Sequence, residues 1–464
     1  MTTSNVISAN TFLSGIGVDT HIPYTDGDYA NISNVVSHLQ YLGINQIRDG
    51  VTNGQNGSAP LSSFIAVAKA GIQFTFVIQA STTADLTASL NLIDQVQKAA
   101  PGSVVAIEGP NEINNQPVVF NGVGGLQGAL DLQRAIYGAV HSDPVLAGVP
   151  VDYFTGYDAG GVPVGPDPAT TPGLADYDTQ HPYPNFGQAP AFWVSRGQAL
   201  KNTTSATEPA VYTETGYSSL QVSPAVQAKY TLDLLFDTVA QGISKTYLYQ
   251  LMDAYAPGSP QGNDGWGLFD YNEVAKPVAD ALRSLTTILH DAGTGSVQPT
   301  ALNYTITGLP STGNSMLLEK SDGTYVLAVW AEPQIWNNTS HTEIAAPTQT
   351  ATVTLPASFG EVKVFDPLSG PSAIAAYSNA STVQVAVSDH PILIQLANPS
   401  GTPPTTPPGG ADTLVLSLSE TPVGGRDAQF ILSVDGHQVG GVQTVTALRS
   451  AGRAQDFTFQ GDFG

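Results

Sequence analysis

Residues 104–115 read VVAIEGPNEINN, and the reading of this stretch decides the fold. A short apolar run leads up to Glu108, Gly109-Pro110 breaks it, and Asn111-Glu112 follows. A brief apolar run closed by turn residues is the pattern of a buried parallel strand. A carboxylate just past the end of such a strand stands where α/β barrels do their chemistry. A second stretch, AVYTETG at 210–216, has the same form and carries Glu214. Glu112 and Glu214 are therefore the candidate catalytic pair, and the rest of the chain reads as the frame that holds them face to face.

Working outward, β-type runs at 12–18, 44–47, 72–78, 104–115, 145–149, 177–183, 210–216 and 245–251 alternate with helical patterns. The helices fall near 27–42, 64–70, 86–99, 126–140, 192–200, 225–239 and 277–290. Strand and helix alternate about eight times, which predicts a (β/α)8 TIM barrel over residues 1–291. A Gly/Pro/Asp-rich segment at 153–173 reads as a long loop over the active face. From 292 to 398 the pattern changes to short β-type runs separated by turn residues, which predicts an all-β sandwich domain. Residues 399–411 (PSGTPPTTPPGGA) form a Pro/Thr/Gly linker. Residues 412–464 are again all-β, a short module fragment near the lower size limit for independent folding.

Composition narrows the partners. Lys and Arg number 15 against 38 Asp and Glu, a net charge of −23, which argues against nucleic acid and anionic membranes. A neutral polysaccharide feels no such repulsion. Charged residues make up only 11%, so the polar surface rests on Asn, Gln, Ser and Thr. With no cysteine there is neither a disulfide nor a thiolate nucleophile. No apolar run approaches the roughly 18 residues of a membrane span. The acidity and the Ser/Thr/Asn/Gly content suit an exported bacterial protein, although MTTSNVISANTFLSG at the start has neither a basic nor an apolar signal region. The sequence leaves the oligomeric state open.

The two carboxylates lie 214 − 112 = 102 residues apart, so only a fold can join them. Placed after the fourth and seventh strands, they face each other across the barrel mouth. Glycoside cleavage needs one protonated carboxyl to assist the leaving oxygen and one ionised carboxylate beside the anomeric carbon. The bland alternative is a pair of solvated strand-end residues. The flanks argue against it: Asn111 offers an amide to a sugar hydroxyl, and Thr213 and Thr215 flank Glu214 on a strand that otherwise reads as buried, where a charge needs a partner or a purpose. Glu108 is a rival acid within the strand, and Glu208 a weaker rival ahead of Pro209. No H-E-x-x-H, Walker loop or dinucleotide fingerprint is present, and no cofactor is expected.

The pairing of GPNE (109–112) with YTETGYS (212–218) resembles the clan A glycoside hydrolases, which are retaining (β/α)8 enzymes. The resemblance implies Glu112 as acid/base and Glu214 as nucleophile. It further implies Arg48 as a partner of the nucleophile, His181 and Tyr183 as contacts to nucleophile and substrate, and Trp266 as a sugar-stacking ring. Without it, Arg48 reads equally well as a structural ion pair and His181 as a core-edge histidine. His21 and Asp49 read as structural, and Trp193, Trp330 and Trp336 as packing. A barrel followed by a β-sandwich is most similar to family 39. One departure stands out: the eighth strand ends Tyr249-Gln250-Leu251, where many clan members place tryptophan. The C-terminal stretch resembles the front half of calcium-dependent xylan-binding modules, with Glu420 and Asp427 as candidate calcium or sugar carboxylates. The expected function is a retaining glycoside hydrolase acting within β-linked polysaccharide, β-glucan or xylan. A transglycosidase and a non-catalytic carbohydrate-binding barrel are the alternatives.

Overall fold

The computed structural model describes residues 6–51, 60–156, 165–205, 207–262, 265–293, 301–397 and, in the C-terminal region, the strands between 412 and 461 with residue 447. Residues 1–399 form one compact unit and 400–464 a second.

Eight parallel strands make the barrel: Ile16–Asp19, Gln46–Val51, Gln73–Ile78, Val104–Glu108, Val151–Asp152, Asp178–Gln180, Ala210–Thr215 and Lys245–Leu248. Sequence neighbours pair from the first strand to the fifth and from the sixth to the eighth, and the eighth pairs with the first. The fifth and sixth close the ring through Tyr153 N–H to Tyr177 O (3.0 Å) and Asp176 N–H to Val151 O (2.7 Å). A barrel so closed leaves no sheet edge. Helices Ile32–Leu42, Leu61–Lys69, Thr83–Ala99, Gly125–Ser142, Pro190–Thr204, Pro224–Ala240 and Pro277–Leu289 surround it. The interior is filled, and Gly17 is one reason: a Cβ there would lie 2.4 Å from the Tyr247 ring.

Two expected strands are corrected. The run at 12–18 begins as a helix, Ala9–Ser14, and the strand starts only at Ile16. Ser8 caps that helix, and Ala9 and Phe12, three apart, bury the same face. The run at 145–149 is a turn, and the fifth strand lies two residues later. The Asp143 carboxylate accepts the amides of Val145 and Leu146, a local bond that competes with the ladder. The stretch that opened the reading is strand only to Glu108; Gly109-Pro110 ends it.

The following β domain is one sheet of seven strands. Gly313–Glu319, Tyr325–Ala331 and Ile392–Ala397 are central, and Ile7–Ser8 adds a parallel edge from the N-terminal region. The runs expected at 351–355 and 361–365 are one long strand, Gln349–Phe365. It pairs along its length with Ala373–Val387 and shifts register between Thr354 and Phe359. Its first part pairs with Thr305–Thr307 and its second with Ile392–Ala397, so the sheet turns over its own core. The strand Tyr325–Ala331 shows why the sequence there is continuously apolar. Leu327 and Val329 face the sheet's core, while Val326, Ala328 and Trp330 join the barrel's core, with Trp330 5.4 Å from Phe236. Trp330 and Trp336 are buried packing residues, as read from the sequence, and Trp193 is half-buried beside Arg196.

In the second unit, Asp412–Leu418 pairs with Gln455–Gly461 and Ala428–Val434 with His437–Val445, around Phe430, Val445 and Phe457. The linker at 399–411, Glu420 and Asp427 lie outside the described residues, as does part of the expected loop, residues 157–164. No helix among the described residues is long and apolar enough to cross a membrane.

Candidate active site

The C-terminal ends of the barrel strands open into a polar cleft of about 330 Å³, lined by Asp19, His21, Tyr24, Arg48, Gln79, Asn111, Glu112, Gln116, Glu214 and Tyr249 among others. Both candidate glutamates reach it. Glu112 stands on the loop after the fourth strand, with a backbone φ of 43° that a non-glycine residue rarely adopts. The loop holds it there by stitching to the next one: the Glu112 amide donates to Thr155 Oγ1 (2.9 Å) and the Ile113 amide to Thr155 O (3.0 Å). Gly109 permits the approach, because a Cβ would fall 1.8 Å from Gln133 Oε1.

Glu214 comes from the seventh strand, whose pairing with the eighth slips between Tyr212 and Thr215. Its Oε1 accepts from Arg48 Nη1 (2.7 Å) and its Oε2 from the Tyr183 hydroxyl (2.7 Å). Burial alone would raise its pKa; a positive charge on His181, the Arg48 guanidinium and the Tyr183 hydrogen bond would together bring it to about 2, and Arg48 and Tyr183 act whether or not His181 is charged. The carboxyl is therefore ionised at any ordinary pH. Glu112 Oε1 lies 3.0 Å from His181 Nδ1, and its Oε2 accepts from Asn115 Nδ2 (3.2 Å). An oxygen of Glu112, an oxygen of Glu214 and a ring nitrogen of His181 all lie within 4.8 Å of one another. These three are also the groups, among the described residues, that are spaced to hold a metal ion.

Arg48 is the hub. It forks onto Glu108 through Nε (2.5 Å) and Nη2 (3.0 Å), and reaches Asp19 (3.0 Å), Glu214 (2.7 Å) and Asn111 Oδ1 (2.7 Å). One buried cation thus serves three acidic side chains. Burial raises the Asp19 pKa well above the usual carboxylate range, against the pull of Arg48 and with the charges of Glu214 and Glu108 adding to the rise.

All seven residues singled out from the sequence lie at or beside this cleft. Asn111 is tied to Arg48 through its carbonyl, and its amide nitrogen retains donor capacity. Trp266 sits at the edge, its ring 5.1 Å from Tyr183 and 6.0 Å from Tyr249. Of the rivals, Glu108 is wholly buried under Arg48, and Glu208 precedes the seventh strand, at the opposite end from Glu214. Asp49 also lines the cleft, and its carboxylate accepts from Thr20 Oγ1 (2.6 Å) and the Ile22 amide (2.9 Å).

His21, which the sequence marks as structural, lines the cleft, with its Nε2 3.1 Å from the Tyr249 hydroxyl. Burial lowers its pKa to about 4, so it is neutral there. Gln79 and Gln116 carry no expectation from the sequence, and Tyr249 and Thr213 enter it only as a strand ending and a flank of Glu214, with no site role. Gln79 and Tyr249 directly follow strands, a signal the sequence carried; Gln116 and Thr213 had none beyond proximity to a glutamate.

No family model and no curated protein matches this chain at a significant level. Solved structures do resemble it. A family 39 glycoside hydrolase from the gut symbiont Bacteroides cellulosilyticus superposes with a TM-score of 0.56 at 15% identity, over 85% of this chain and 83% of that one. A monomeric β-xylosidase from Caulobacter crescentus gives 0.54 at 15% identity, over 85% and 98%. An endo-β1,6-glucanase gives 0.50 at 11% identity, over 85% and 92%. With its closed eight-stranded barrel joined to a β domain, this chain has the fold of the family 39 glycoside hydrolases.

Proposed function

We propose that the protein is a retaining glycoside hydrolase that cuts within β-linked polysaccharide, with β-glucan or xylan the polymers to test first. The observation that carries the reading is the approach of Glu112 to Glu214: oxygens within 4.8 Å, in a cleft open to solvent. Retaining pairs stand about 5–5.5 Å apart, whereas inverting pairs stand about 6.5–9.5 Å apart to admit a water between them.

In the first step a Glu214 oxygen bonds to the anomeric carbon as the glycosidic C–O bond breaks. The leaving oxygen takes a proton from Glu112. In the second, Glu112 removes a proton from water, the water oxygen bonds to the anomeric carbon, and Glu214 is released as carboxylate. Arg48 and Tyr183 keep Glu214 ionised between turnovers. Asn111, His21 and the rings of Tyr249 and Trp266 supply the polar and stacking contacts for sugar. Two carboxylates suffice for this chemistry, and the reading includes no cofactor. A polymeric substrate puts the working protein outside the cell.

The test is a polysaccharide panel read by reducing ends and product sizes, followed by Glu214→Ala. The variant should lose turnover, keep substrate affinity, and regain rate with added azide, giving a glycosyl azide of inverted configuration. An active variant without azide would overturn the nucleophile assignment. Products longer than the substrate would instead point to transglycosylation.

A further inference from the structure

Glu112 and Glu214 meet across the sugar site, and they are also joined through the barrel's interior. From Glu112 the chain of contacts runs to His181 Nδ1 (3.0 Å), then from His181 Nε2 to Thr213 Oγ1 (3.0 Å). Thr213 Oγ1 donates to Glu108 Oε1 (3.1 Å), Arg48 forks onto Glu108, and Arg48 Nη1 ends on Glu214 (2.7 Å). Thr213 and His181 are both essentially inaccessible to solvent.

The direction of these bonds can be worked out by counting protons. Arg48 has donors only, so both Glu108 oxygens act as acceptors. Thr213 has one proton and gives it to Glu108. Its oxygen can then meet His181 Nε2 only as an acceptor, so Nε2 carries a hydrogen. In neutral imidazole the other nitrogen, Nδ1, is then a bare acceptor facing Glu112 Oε1. That contact is satisfied only if Glu112 brings the proton.

We infer that Thr213 is a positioning residue which fixes His181 as the Nε2–H tautomer, so that Nδ1 accepts the acid proton of Glu112 in the resting enzyme. This rests on the two-glutamate reading for its catalytic meaning, though the tautomer does not. The groups facing the imidazole are Glu112 from the fourth loop, and Glu214 (3.7 Å from Nδ1) and Thr213 from the seventh strand, with Glu108 and Arg48 behind Thr213. A proton left on Nδ1 would be donated to Glu112 and would favour its ionised form, the wrong state for the first step. Thr213 acts three contacts away from the leaving group and touches no substrate.

Thr213→Val keeps the shape and removes the hydroxyl; Thr213→Ser restores it. Nitrogen-15 correlation spectra of the eight histidines, with His181 assigned through His181→Gln, report the tautomer without reference to activity. The wild-type protein should show a protonated Nε2, which Thr213→Val loses while the other histidines keep their signals. On a polysaccharide the protein cleaves, Thr213→Val should lower kcat roughly 5- to 50-fold, the worth of one buried hydrogen bond. KM should hardly change, the basic limb of the kcat profile should fall to lower pH, and Thr213→Ser should recover most of the rate. A wild-type His181 protonated on Nδ1 would overturn the inference, as would a Thr213→Val protein with unchanged His181 signals and basic limb. If no glycan is cleaved by the wild type, the proposed function fails, and the spectra still decide the tautomer.

Discussion

Tyr183→Phe removes a single hydrogen bond, from the phenol to Glu214 Oε2 at 2.7 Å, and leaves the ring in place. A hydrogen bond to a buried charge is worth about 1.5–3 kcal/mol, and 1.36 kcal/mol corresponds to one pH unit, so the Glu214 pKa should rise by about one to two units. That is a large part of the full lowering, from an ordinary 4.5 to about 2. It cannot be all of it, because Arg48 keeps its place. The consequence is visible in kinetics. In the wild type the acid limb due to Glu214 should lie near pH 2. In Tyr183→Phe it should emerge at higher pH in kcat/KM, which reports ionisations of the free enzyme. The assay is a pH profile of both proteins on the same substrate, with far-UV circular dichroism at each pH to mark the folded range. Coincident acid limbs in folded protein would refute the electrostatic account of Glu214.

Two other outcomes follow from the same geometry. Glu112→Gln cannot donate a proton, so it should lose about 10²–10⁴-fold on polysaccharide but far less on aryl glycosides whose phenolate leaves unaided; equal losses on both would reject the acid role. At the joint between barrel and β domain, burial first and then the neighbouring Glu332 raise the Asp237 pKa from 3.8 to about 9. A raised pKa in the folded state stabilises fully below the unfolded value and ceases to stabilise as pH climbs through 9. Melting temperature should therefore fall between pH 7 and 10, and Asp237→Asn should flatten the decline; parallel curves for the two proteins would exclude Asp237 as the cause.

The barrel was legible because parallel strands buried on both faces read as apolar runs, and turn residues mark their ends. The same rule failed at 12–18 and 145–149, where a serine cap and an Asp143 side chain redirected short apolar runs into a helix and a turn. Such runs satisfy several local structures equally, and only the neighbouring strand chooses among them. It also could not divide 349–365, since a bend within one strand and a turn between two carry similar residues.

The sequence by itself determined which residue types stand after the fourth and seventh strands, and so named Glu112 and Glu214. It also set the net charge of −23, which argues against polyanionic partners. The tertiary structure alone decided that Glu108 belongs to Arg48 and lies out of reach of the cleft, that Tyr249 and His21 form its wall, and that Thr213 links His181 to Glu108. The reason lies in range. A strand's ending is written in a few adjacent letters, whereas the partner of a buried charge is chosen by distances across the barrel. Those are fixed only once all eight strands have closed, and sixty residues separate Arg48 from Glu108.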